Sequence, residues 1–252
     1  MHFPVTVITP YGHYHTALEP FSEHLEVEPY FDKSKQDLIA ELKAEKAKAE
    51  KDKNESLLKF YSWAYRWDSD EDLFESIKER EEAAGFIFDD DGNRLSTYNK
   101  QGKWDWYVLG GRFSGMLITK KGKRVDEAQV KNIDFNAYKL SEKDNAWYTR
   151  QWEIIVEEQE LREGESVEEY LVDPFTTREG SLTDFGTKER YLRICNSFFT
   201  HNLVYDGEWY RADDDSLFCN DPNANLAYEN KFFEIMSKLN PNDFISIVDC
   251  HA

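Results

Sequence analysis

Cysteine is scarce in this sequence. There are three, Cys195, Cys219 and Cys250, widely separated and odd in number. No two stand as a CxxC pair, so neither a zinc ribbon nor a disulfide framework is expected. A reducing compartment fits that usage. No activating base can be placed beside any of the three, so they read as small buried apolar groups. Long apolar runs are missing as well, and none approaches the length of a membrane-spanning helix. The opening residues, MHFPVTVITPYGHYH, carry neither a basic leader nor an extended apolar stretch, so no secretory signal is expected. Glycine-rich phosphate fingerprints are absent, because the spacing of a dinucleotide loop and the lysine of a P-loop are both missing. Neither an internal repeat nor a low-complexity linker is visible.

Basic charge is also short. The chain has 31 Lys and Arg against 50 Asp and Glu, a formal net charge of -19. Such a surface repels phosphate backbones, so direct nucleic-acid backbone binding is not expected. Two meanings of the charge stay open. One is solubility in a crowded cytoplasm. The other is an acidic face that imitates nucleic acid and fills a basic groove on a partner.

Aromatic residues are abundant, at 15% of 252 residues, with 7 Trp, 14 Tyr and 17 Phe. That is ample for a packed core. FPVTVIT near the start and FISIVDCH at the end read as buried strands. Pro10 and Gly12 end the first strand, and residues 13–31, with Pro20 and Pro29, read as irregular. A helix is expected from Asp32 or Ser34, rich in Ala, Glu, Leu and Lys. Its apolar positions thin out after Leu42, which suggests a solvated charged arm. Leu57, Leu58, Tyr61 and Tyr65 then restore an apolar stripe. Ser69 and Asp72 open a second helix, stopped by Gly85. Asp91-Gly92 and Asp206-Gly207 mark hairpins, and Lys121-Gly122 another turn. Trp104–Leu109 and Phe113–Thr119 read as strands on either side of Gly110-Gly111. Helices are expected over 141–163, over 187–196 and over NANLAYENKFFEIMSKL, closed by Pro241, while 164–186 reads as loop. The sum is an α+β fold: one domain with a mainly antiparallel sheet, flanking helices and a charged helical insertion at about 32–85. The first and last strands are expected to be close in one sheet.

The densest chemistry lies in KWDWYVLGGRFSG, residues 103–115. Gly110 and Gly111 permit close backbone approach. Backbone N–H groups, Arg112 and Ser114 suit a small anionic ligand such as phosphate or carboxylate. Strand alternation would set Trp104 and Trp106 on one face, to stack on a base or sugar, and Asp105 and Tyr107 on the other. The competing reading is a structural corner in which Arg112 pairs with Asp105. A second cluster joins the chain ends. Asp249 and His251 are two apart on a strand and point the same way. If the end strands run antiparallel, His2 comes near His251, and His, Asp and His make an acid–base or metal cluster, or only a polar fringe. Cys250 would alternate away toward the core. His13 and His15, in a loop, make a weak metal pair. Ser114 sits in GRFSG, which is not the G-x-S-x-G elbow.

Three stretches carry a family likeness: HFPVTVI with LEPFSEHLEVEPY, STYNKQGKWDWYVLGGRFSG, and DGEWY with DFISIVDCHA. They resemble a family of uncharacterised phage and prophage proteins. Its members open on a strand after His-Phe, carry a central STYNPKSKWDWYxxGGRWSG and close on VDCH. Residues 32–66 and 120–185 do not take part. Lys100 stands where the family often has Pro, and Phe113 where it often has Trp. The resemblance implies a viral gene product in an infected bacterial cytoplasm and supplies no mechanism. The function expected is therefore an accessory protein that binds a host protein or a nucleotide-like ligand without turnover. The alternative is a small metal-dependent or acid–base hydrolase built on His2, Asp105, Asp249 and His251. Neither a cofactor nor a metal is specified by these residues.

Overall fold

A computed structural model of the protein describes residues 1–172, 176–211 and 222–252. They form two compact units: residues 24–100, and residues 1–23 together with 101–252. Cys219 lies outside the described residues. The fold is α+β, and its sheets are mostly antiparallel.

The larger unit begins with β1 (His2–Thr9) and the short helix α1 (Tyr14–Leu18). In the smaller unit, β2 (Tyr30–Lys33) leads to α2 (Lys35–Lys51), whose N-cap Ser34 accepts a bond from Asp37 N. The charged arm does not run on as one helix. Lys53 takes φ 53°, the chain turns, and α3 (Glu55–Ala64) follows. Next comes α4 (Asp70–Ala83), capped by Ser69 as the Ser-x-x-Asp pattern predicts. The hairpin of β3 (Ile87–Phe88) and β4 (Arg94–Ser96) turns at Gly92, where φ is 79°. β4 also pairs with β2, a strand inside the stretch expected to be irregular. Beyond Leu42 the arm is solvated as expected, with Ala49 its one buried residue as far as Lys51. Leu38, Ile39, Leu42 and Ala49 are buried with Tyr61, Leu73, Phe74 and Ile77 in this unit's own core.

The chain re-enters the larger unit beside its point of exit, for Glu23 N donates to Trp104 O at 2.9 Å. β5 (Trp106–Leu109) follows, then a 3₁₀ turn over Gly111–Phe113, then β6 (Leu117–Ile118), β7 (Arg124–Val125) and β8 (Glu127–Gln129). β5 and β6 do not pair with each other. β6 pairs with β7 across Lys121-Gly122, and β5 pairs elsewhere. Phe113, expected in a strand, lies in the turn instead.

α5 (Glu142–Ile155), capped by Ser141, ends earlier than expected. The stretch 164–186, read as loop, contains α6 (Arg178–Asp184). α7 (Lys188–Cys195) precedes the hairpin of β9 (Asn202–Tyr205) and β10 (Glu208–Arg211). Its two turn residues, Asp206 and Gly207, have φ 52° and 78°, as a two-residue turn with both φ positive requires. α8 (Pro222–Lys238) and β11 (Phe244–His251) complete the chain.

The main sheet has the order β10-β9-β1-β11-β5, and β8 also pairs with β11. β1 and β11 lie antiparallel along their whole length, from His2 opposite His251 to Thr9 opposite Phe244. β1 and β9 run parallel. Period-two alternation gives each sheet face its own core. On one face Val5, Val7, Val248 and Cys250 pack with Leu18 and Phe21. On the other, Ile8, Ile245 and Ile247 pack under Tyr228, Phe232 and Ile235 of α8. Leu226, expected on the apolar side of α8, is 37% exposed. Among the described residues no helix is long and apolar enough to cross a membrane.

Candidate functional site: two histidine–carboxylate pairs at one end of the sheet

The face that carries Ile8, Ile245 and Ile247 changes character along the strands. Stepping by two from Ile8 leads through Thr6 and Pro4 to His2. Opposite them stand Ile247, Asp249 and His251. Directly opposed residues share a face, so His2, Asp249 and His251 gather at the polar end. β5 adds Trp106 opposite His251 and Val108 opposite Asp249, and both are about 45% exposed. The expected convergence of the chain ends is therefore present.

Each histidine holds its own carboxylate. His2 Nδ1 is 2.8 Å from Asp249 Oδ1. The other oxygen of Asp249 accepts the backbone N–H of Arg112 at 2.9 Å, so both oxygens of a carboxylate only 1% exposed are engaged. His251 Nδ1 lies 2.8 Å and 3.1 Å from the two oxygens of Asp105. The bond from His251 holds the Asp105 carboxyl below the usual aspartate range. An ionised carboxylate only accepts, so Nδ1 of each ring is the donor and Nε2 of a neutral ring carries the lone pair. Among the described residues neither Nε2 has a hydrogen-bond partner. The rings stand edge to face, centroids 5.2 Å apart. Trp106 stacks on His251 at 5.5 Å with 14° between planes, and His2 meets the indole edge-on at 5.1 Å.

The 103–115 motif builds this arrangement by an unexpected route. The chain bends at Asp105, before β5 begins. That bend breaks the alternation, so Trp104 and Trp106 do not share a face. Trp104 packs into the core with Tyr107 at a centroid distance of 4.6 Å, and its indole N–H donates to Leu18 O at 3.1 Å. Tyr107 also lies toward that core, its hydroxyl 2.8 Å from His15 Nδ1. Trp104 and Tyr107 thus pack toward the inner face, while Asp105 and Trp106 stand beside the two histidines. The expected pairing of Arg112 with Asp105 is not formed. Asp105 is taken by His251, and the Arg112 side chain has no partner among the described residues.

The Gly-Gly pair is a clamp on two carboxylates. Gly110 has φ 71° and ψ -69°, a tight γ-turn conformation that is strained for other residues. A Cβ there would lie 2.4 Å from Asp126 Oδ2, and one on Gly111 would lie 2.4 Å from Asp249 Oδ2. Asp126 accepts from Ser114 Oγ at 3.1 Å and from Gly115 N at 2.6 Å. Ser114 is therefore tied into the turn. Asp126 carries no local sequence signal that would have marked it, because its partners lie eleven and twelve residues away.

Cys250 lies on the opposite face, fully buried, and burial pushes its thiol well above the usual range. Cys195 is half-buried. His13 precedes α1 and His15 lies inside it, where a loop was expected. Among the described residues no group of three or more His, Cys, Asp or Glu side chains is placed to hold a metal ion. Family models, curated proteins and solved structures give no match to this chain.

Proposed function

We propose that the protein is an acid–base hydrolase whose reacting groups are the Nε2 atoms of His2 and His251. The observation that carries this reading is the duplication. Two imidazoles, 5.2 Å apart, each have Nδ1 on a carboxylate and Nε2 uncommitted among the described residues. A carboxylate on Nδ1 fixes the ring and stabilises the imidazolium that forms when Nε2 takes a proton. Two such rings side by side suit a reaction in which one removes a proton and the other delivers one. Ser114 is bonded to Asp126, Cys250 is buried on the opposite face, and no described hydroxyl or thiol is bonded to either ring, which favours water or a hydroxyl of the substrate as nucleophile. Asp105, Asp249 and the Arg112 N–H position the rings.

His2→Ala and His251→Ala test this. Each is expected to lower turnover of a chromogenic phosphate or carboxylate ester by 10²- to 10⁴-fold while the thermal melt stays cooperative. Wild-type rates in both folded variants would remove the histidines from the chemistry. A second reading, binding of a nucleotide-like ligand or host protein without turnover, draws on the exposed indole of Trp106 and the unpartnered Arg112 side chain. It gains if the folded protein binds such a ligand and turns nothing over. The phage-family likeness, with its bacterial cytoplasm, stays with either reading as part of the proposal.

A further inference from the structure

Resting on the acid–base reading, we infer that the substrate is a short ribonucleotide phosphodiester, cleaved by attack of its own 2′-hydroxyl. Three observations bear on the choice. First, among the described residues no hydroxyl or thiol is hydrogen-bonded to either ring, and displacement at phosphorus needs a proton taken on one side and given on the other. A ribonucleotide brings its nucleophile with it. Second, Trp106 presents a 44% exposed indole beside both rings, a platform on which a base can stack. Third, the net charge of -19 opposes a long polyanion but tolerates a substrate with one or two phosphates. The Arg112 side chain, without a partner among the described residues and carried on the backbone that bonds Asp249, supplies a cation from the same turn.

His2 Nε2 takes the proton of the 2′-hydroxyl, whose oxygen bonds to phosphorus. The bond from phosphorus to the 5′-oxygen breaks, and His251, as imidazolium, protonates the departing oxygen from Nε2. This first half-reaction gives a 2′,3′-cyclic phosphate and a free 5′-hydroxyl, and hydrolysis is completed when water opens the cyclic ester, His251 Nε2 taking a proton from the water and His2 returning one to the 2′-oxygen. The acid role falls to His251, the more exposed of the two rings, from which the departing nucleoside can leave to solvent.

The experiment compares three probes: uridylyl-3′,5′-adenosine, its 2′-deoxy counterpart, and uridine 3′-(4-nitrophenyl phosphate). The His2→Ala/His251→Ala double variant, purified identically, controls for contaminating nuclease. Wild type is expected to give the cyclic phosphate from the ribo compound and at least 10³-fold less product from the deoxy one. His2→Ala should lose about 10²-fold or more on both ribo probes. His251→Ala should lose as much on the dinucleotide and less than tenfold on the nitrophenyl ester, whose leaving group needs no proton. Trp106→Ala should raise KM about tenfold or more on the dinucleotide. Equal cleavage of the deoxy compound overturns the 2′-hydroxyl mechanism. Histidine-dependent hydrolysis of simple esters without dinucleotide cleavage overturns the substrate class and leaves the acid–base reading standing. No turnover of any ester by folded protein overturns both.

Discussion

The two histidine–carboxylate pairs share a plan and differ in depth. In the His2 pair the side chains are 16% and 2% exposed; in the His251 pair they are 33% and 34%. Asp249 is built into the sheet and clamped from outside by the Gly111–Arg112 backbone. Asp105 sits at a bend ahead of β5, with the bond to His251 as its side-chain anchor. A buried carboxylate cannot lose a partner cheaply, because water does not replace the bond. A half-exposed one can. The inner pair is therefore welded to the fold. The outer pair is free to adjust to a ligand, and it is the one that carries the indole of Trp106. One site thus combines a rigid half with a compliant half.

The sharpest way to break this contrast is Gly111→Ala. The new Cβ meets Asp249 Oδ2 at 2.4 Å and Val108 Cγ1 at 2.8 Å, on a backbone at φ 51°. Left-handed backbone and overpacking together are expected to cost about 4 kcal/mol in urea unfolding. A cost under about 1 kcal/mol would mean that the turn gives way freely and that the inner pair is no more rigid than the outer. Asp249→Ala comes next, at about 3 kcal/mol, since it strands the Arg112 N–H and removes the partner of His2 in a buried place. Asp105→Ala should shift the unfolding midpoint visibly less. Equal losses in the two aspartate variants would erase the distinction.

Much of this site was legible before any coordinates. Strand periodicity put Asp249 and His251 on one face and Cys250 on the other, and the antiparallel pairing of the end strands brought His2 to them. The cap at Ser69, the helix starts near Ser34 and Ser141 and the turn at Asp206-Gly207 rest on local chemistry and were equally readable. What failed was periodicity carried through a bend. Alternation assumes a continuous strand, and the bend at Asp105 put Trp104 and Trp106 on different faces. The same break handed Asp105 to His251, where charge alone suggested Arg112. The clamp of Gly110 on Asp126 was invisible for a different reason: it is a tertiary contact between residues with no shared local pattern. The charged arm was legible too, for beyond Leu42 only Ala49 is buried, but composition did not say that Leu38, Ile39 and Leu42 would share a core with Tyr61 of α3 and with Leu73, Phe74 and Ile77 of α4.

The finest test of the contrast is acid. The carboxyl of Asp105 is held below its usual range, chiefly by the bond from His251. A group whose folded value is depressed contributes stability above its unfolded value, near 3.9, and loses it as pH falls through the lower folded value. Unfolding in urea at steps from pH 5 to pH 2.5 should therefore show wild type losing stability faster below about pH 4 than Asp105→Asn. Glu165, lowered to about 2 chiefly by its hydrogen bond with Arg150, adds to the same acid limb in both proteins and cancels in the comparison. Because Asp105 is a third exposed, high salt should shrink the difference between the two curves. Parallel curves at low salt would show that the outer pair contributes nothing to folding through charge. The outer pair's role would then be confined to whatever binds above Trp106.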